Sequence, residues 1–198
     1  MTDNYGIEFT EGKCDWTLHE LRLVDGGVKQ FITAANWDNA RFRVAFPTIE
    51  LRRLKYIPPL YWQHAATSEF DNILFYDRSF DDEQWARILT THELAHVWDY
   101  HEGFYSISSE LAAEVEADRL AECRSKGQEH PRSGCIGFTP TQKPASIYGG
   151  TNRFEDWAES VVGVAYNYTV TYEYDIWYNN PDLSSLRVNF VKSWFAKY

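Results

Sequence analysis

The chain has 198 residues, 44% of them apolar and 17% aromatic, which is enough for one packed core and fits a single domain over 1–198. Its formal charge is −10, and its densest basic stretch, residues 51–55, reads as one face of a strand or turn, so a nucleic-acid-binding surface is excluded. No apolar run is long enough to span a bilayer, and the acidic, polar start has neither the basic nor the apolar region of a secretory signal. A cytoplasmic location is then the default, with a secreted or excised domain left open. Three cysteines make a poor disulfide framework, although Cys123 and Cys135 could close a loop between them.

In chain order, Asp15 is a plausible cap for a helix carrying Trp16, Leu18, Leu21 and Val24. Gly26 and Gly27 are expected to interrupt it before a second helical stretch at 28–36. Residues 40–54 alternate apolar and charged side chains, which predicts a strand with Pro47 at a bend. Residues 56–62 read as a rigid turn. Residues 72–77, NILFYD, predict a short apolar strand and the sheet edge along which a peptide could pair. A long helix follows over 79–101, capped by Ser79 or Asp81, then a second over 108–127 capped by Ser108 or Ser109. Residues 130–146 are rich in Gly and Pro and read as loop. Helices are expected again at 153–168 and at 182–197, the latter capped by Asp182 or Ser184. The fold class is α+β, with a small sheet early and helices late.

The long helix contains THELAHVWDYH. His92 and His96 stand four apart, so both imidazoles leave the same side of the helix one turn apart and suit two ligands of one tetrahedral zinc ion. Glu93 is turned about a quarter circle away, where it can reach a water rather than the metal. A catalytic zinc needs a third protein ligand and an open fourth position. Asp99 is better placed to accept from an imidazole N–H than to join the ion. Glu114 and Glu155, both on predicted helices, compete for the third place, and spacing does not choose between them.

Two blocks resemble a known family. HELAHVWDY and YGGTNRFEDWAE are similar to the two zinc-site segments of the gluzincin metallopeptidases that include anthrax lethal factor. Tyr148, Gly149, Thr151, Asn152, Glu155, Ala158 and Glu159 stand at matching intervals. The resemblance implies a zincin-like metallopeptidase fold: a small N-terminal twisted sheet, an active-site helix and a mainly helical C-terminal part. It implies one zinc ion on His92, His96 and Glu155, with Glu93 as general base and Tyr148 stabilising the oxyanion or the leaving group. Glu159 would hold a ligand histidine, and Asp99 would act from the outer shell as well. The substrate would be a peptide or protein. A second likeness, of EVEADR to the ExEADR block of membrane-bound CAAX-type metallopeptidases, would instead make Glu114 the ligand, but this sequence offers no membrane spans. The rival reading is a non-catalytic, zinc-stabilised interaction domain, to which the aromatic residues 169–180 could contribute a partner surface. A purely structural zinc site would have no use for Glu93.

Overall fold

The structure, a computed structural model, describes residues 2–10, 15–55, 66–125, 143–146, 148–166 and 183–198. The expected turn at 56–62, most of the Gly- and Pro-rich loop, residues 169–180, Cys14 and Cys135 lie outside the described residues. Cys123 is buried and disulfide-bonded.

A four-residue helix α1 (Thr2–Tyr5) leads into strand β1 (Ile7–Thr10), then helices α2 (Leu18–Ala35) and α3 (Asn39–Ala45). Strands β2 (Ile49–Arg53), β3 (Ala66–Glu69) and β4 (Asn72–Phe75) complete a four-stranded sheet in the order β1-β2-β4-β3. The first three of that order run parallel, and β3 folds back antiparallel on β4. Helices α4 (Glu83–His101), α5 (Ser106–Ser125), α6 (Arg153–Tyr166) and α7 (Ser185–Phe195) follow. The architecture is therefore α+β and mostly helical. No helix among the described residues is long and apolar enough to cross a membrane.

Several expectations are corrected. Residues 39–45 form a helix, not a strand. Asp38 caps it by accepting the Arg41 N–H at 2.8 Å. The helix buries Phe42, Ala45 and Phe46 and leaves Val44 66% exposed, the reverse of what a period-two strand would do with Val44. Thr17, not Asp15, caps α2, in a reciprocal box with Glu20. Gly26 and Gly27 do not break that helix. A Cβ on Gly27 would lie 2.5 Å from Thr90 Cβ and 2.6 Å from the Arg87 carbonyl oxygen, so the glycine serves close packing of α2 on α4. Asp82, rather than Ser79 or Asp81, caps α4, after a 3-10 turn at Asp77–Phe80. The helix expected from 108 begins at Ser106. NILF is an inner strand; among the described residues the edge strands are β1 and β3, because the turn at Phe70 (φ 57°) folds Ala66–Glu69 onto the outer side of β4.

One apolar cluster joins α2, α4, α6 and α7 with the buried side chains of the sheet. Ile7, Ile49, Leu51, Ile73 and Phe75 point inward from the strands. Phe31, Trp37, Trp98 and Phe195 meet edge-on or stacked, with ring centroids 5.3–5.9 Å apart. Trp37 Nε1 also donates to the Phe195 carbonyl at 2.8 Å, which ties the chain end to α2. This apolar mass lies behind α4 and fixes the helix that carries both histidines.

Candidate active site

α4 crosses the interior, so most of its HELAH turn is buried: His92 is 4% exposed, Glu93 5%, Leu94 and Ala95 not at all, and His96 is partly buried. α6 packs alongside it. Trp157 Nε1 donates to the Ala95 carbonyl at 2.9 Å, a bond between the turn holding the two histidines and the turn holding Glu155 and Glu159. This sets the register of the two helices. Asn152 caps α6, accepting the N–H groups of Phe154 and Glu155 at 2.9 and 3.1 Å.

The result is a convergence of three side chains. His92 Nε2 and His96 Nε2 are 3.1 Å apart, and Glu155 Oε2 lies 3.1 Å from the first and 3.3 Å from the second. Donors at tetrahedral corners, each about 2.0–2.1 Å from a zinc ion, stand roughly 3.3 Å from one another. The three contacts thus form one face of a tetrahedron of the right size. Glu155 Oε2 is buried and receives no aligned hydrogen bond despite these short distances. A buried carboxylate oxygen in that condition has room to accept a proton donor or a cation. His92, His96 and Glu155 are the residues that could hold a metal ion among those described.

Around this face the remaining groups divide by role. His92 Nδ1 is 2.8 Å from Glu159 Oε1, and Glu159 is only 3% exposed. With its Nδ1–H donated to that carboxylate, His92 presents the Nε2 lone pair to the cluster. Burial opposes charging this imidazole, yet the carboxylates of Glu155 and Glu159 raise its pKa well above the ordinary histidine value. Burial likewise opposes ionisation of Glu155, and the two imidazoles outweigh it, holding the carboxyl well below the usual range. The Tyr148 ring lies 5.9 Å from that of His92. Burial, then the charges of Glu155 and Glu93, push its hydroxyl well above the usual phenol pKa, so it is a proton donor near neutrality.

Two expected participants stand elsewhere. Glu114 is exposed on α5 and does not join the cluster. Asp99 is fully buried, but its Oδ1 accepts the Ser108 N–H at 3.0 Å in the first turn of α5, instead of an imidazole N–H. It thereby caps a helix from outside, satisfying one of the donors that every helix start leaves open. Asp156 and Arg187 went unnoticed in the sequence. Their paired side chains, described below, lie on helices separated by a long connection, and no local pattern joins them.

Comparison with protein-family models, curated proteins and solved structures finds no match to this chain.

Proposed function

We propose that this protein is a zinc-dependent metallopeptidase with a zincin-like fold, of the gluzincin kind that its two motifs resemble. The observation that carries the reading is the tetrahedral face made by His92 Nε2, His96 Nε2 and Glu155 Oε2, with Glu93 and Tyr148 beside it. Two imidazoles and one carboxylate are one of the donor sets of catalytic zinc sites, which leave a fourth position open. A zinc ion held there would supply a Lewis acid for a peptide carbonyl and bring the pKa of a bound water near neutrality.

The chain's own groups supply the rest. Glu93 accepts the proton of the attacking water and passes it to the departing amine. Tyr148, held as a neutral phenol, donates a hydrogen bond to the oxyanion that develops on the substrate. Glu159 keeps His92 in the tautomer that ligation needs. β3, an edge strand of the sheet among the described residues, would offer backbone groups to an extended peptide, which suits a peptide or protein substrate.

The test is cleavage of a peptide library with and without chelator, beside metal analysis of protein purified without added zinc. The parent is expected to carry one zinc per chain and to lose cleavage on chelation. Glu93→Gln is expected to retain the zinc and lose about 100- to 10,000-fold in kcat. Cleavage unaffected by chelator, or a Glu93→Gln variant as active as the parent, would reject the mechanism. Zinc retained with no cleavage of any peptide would favour the interaction-domain reading.

A further inference from the structure

We infer that Asp156 and Arg187 form a positioning pair that holds Tyr148 against the metal centre, an inference that rests on the peptidase reading above. Glu155 and Glu159 turn towards α4. Asp156, the next residue on the helix after Glu155, is rotated about 100° from it and faces α7 and the Tyr148 turn. Its carboxylate is fully engaged there. Oδ1 accepts the Ala145 N–H at 3.0 Å and Arg187 Nε at 3.0 Å, and Oδ2 accepts Arg187 Nη2 at 2.7 Å. Arg187 is 1% exposed, so this is a buried, two-pronged guanidinium–carboxylate pair with a backbone amide as its third partner.

That third partner belongs to the segment that presents Tyr148. Ala145 lies three residues before the tyrosine, and Gly149 lies one after. Ser146 Oγ accepts the Gly149 N–H at 2.8 Å and closes the turn. A Cβ on Gly149 would sit 3.3 Å from Asp156 Cα and 3.4 Å from Glu159 Cβ, so this glycine lets the turn rest directly on the α6 backbone. Tyr148 is therefore pinned from both sides to the helix that also carries Glu155. A single 3-10 turn, Gly149–Thr151, follows it and is too short to hold a conformation unaided. Arg187 fixes Asp156, Asp156 fixes the turn, and the turn aims the hydroxyl.

The pair acts through the tyrosine, so its loss has a specific signature. Asp156→Asn is expected to lower kcat about 10- to 100-fold, as a displacement near 1 Å does. KM and zinc affinity should stay within about threefold of the parent, because Tyr148 is no ligand. In a Tyr148→Phe background the same substitution should cost less than about twofold, since the group it positions is gone. Gly149→Ala keeps both side chains of the ion pair and pushes the turn off α6, against Asp156 Cα and Glu159 Cβ; it should lower kcat likewise and carries the test if Asp156→Asn does not fold. Amide exchange over residues 145–151 should quicken in Asp156→Asn whether or not a substrate is known. An undiminished penalty in the Tyr148→Phe background, or zinc affinity falling in step with kcat, would overturn the inference and place the pair's action on Glu155. Should the parent cleave nothing, the peptidase reading fails, and unchanged exchange over 145–151 would separately overturn the positioning claim.

Discussion

Glu159 and Glu93 are both buried carboxylates near the same histidines, and their loss would register in different measurements. Glu159 meets His92 at Nδ1, on the side of the ring away from the metal face. Its removal leaves the three donors in place but frees the ring to rotate and to change tautomer. Glu159→Ala is therefore expected to weaken zinc binding about 10- to 100-fold, read by chelator competition. Zinc affinity equal to the parent's would show that Glu159 does not orient the ring. At this scale the sequence was legible where geometry is local. His92, Glu93 and His96 fall into place from helical spacing alone, because four residues make one turn whatever surrounds them. The third donor was not legible from spacing. Glu114 and Glu155 both lie on helices, and only the packing of α6 against α4, set by Trp157 on Ala95, decides which carboxylate reaches the imidazoles. The surroundings of Asp99 are equally non-local: the first turn of α5, brought beside it by the reversal after His101, bonds one of its oxygens.

Among the elements, the helices were legible over most of their length, and the errors concentrate where tertiary contact reverses a local preference. The Gly26–Gly27 pair is the clearest instance. Read locally, two glycines break a helix. In the fold they lie on the face of α2 that meets α4, and only one of them is needed there. A methyl on Gly27 would meet the Thr90 side chain and the Arg87 backbone, neither of which can swing aside. A methyl on Gly26 meets only the Arg87 side chain, at 3.2 Å, and that chain is flexible. Gly27→Ala is therefore expected to destabilise the protein by about 1–3 kcal/mol through overpacking. Gly26→Ala should be neutral or stabilising by up to about 1 kcal/mol, through helix propensity. Urea denaturation of the two variants separates the cases, and equal stabilities would refute the close-packing account. Strands were less legible than helices. β1 and β3 are four residues each, too short for alternation to register, and β3 is recruited by pairing with β4 instead of by its own apolar content.

For the molecule as a whole, two sets of long-range bonds bear on stability. The first is the proposed metal centre, whose candidate ligands lie on α4 and α6. A ligand that binds only the folded chain stabilises it by mass action, about 2.7 kcal/mol at a hundredfold excess over Kd. In a chain of this length that corresponds to a rise in Tm of roughly 5–10 °C. Zinc should produce this rise in the chelated parent and none in His96→Ala; an equal rise in both would locate the binding elsewhere. The second set is the buried ion pair of Arg53 with Glu20, Arg53 donating from Nε at 2.9 Å, extended by Asp77 at 2.6 Å. It links α2, the middle of the sheet and the turn that starts α4. Burial acts to raise the Glu20 pKa, but the Thr17 N–H and Arg53 outweigh it, and the carboxyl titrates below its usual value. The sign of the pH effect follows. A depressed carboxyl contributes its stability in full above the unfolded-state pKa, about 4.3, and loses it as the pH falls through the folded-state value. Glu20→Gln should thus cost about 1.5–3 kcal/mol at pH 7, where a charged hydrogen bond is replaced by a neutral one. The penalty should shrink as the pH falls below about 4.3, because the parent is then losing the same interaction. Glu50 and Glu116, also depressed by neighbouring arginines, lie near the surface, where screening keeps such pairs weak, so they do not mask the trend. Urea melts of parent and variant at pH 7, 5 and 3.5 measure the difference directly. If the gap stayed constant down to pH 3.5, the pair's contribution would be packing and not charge.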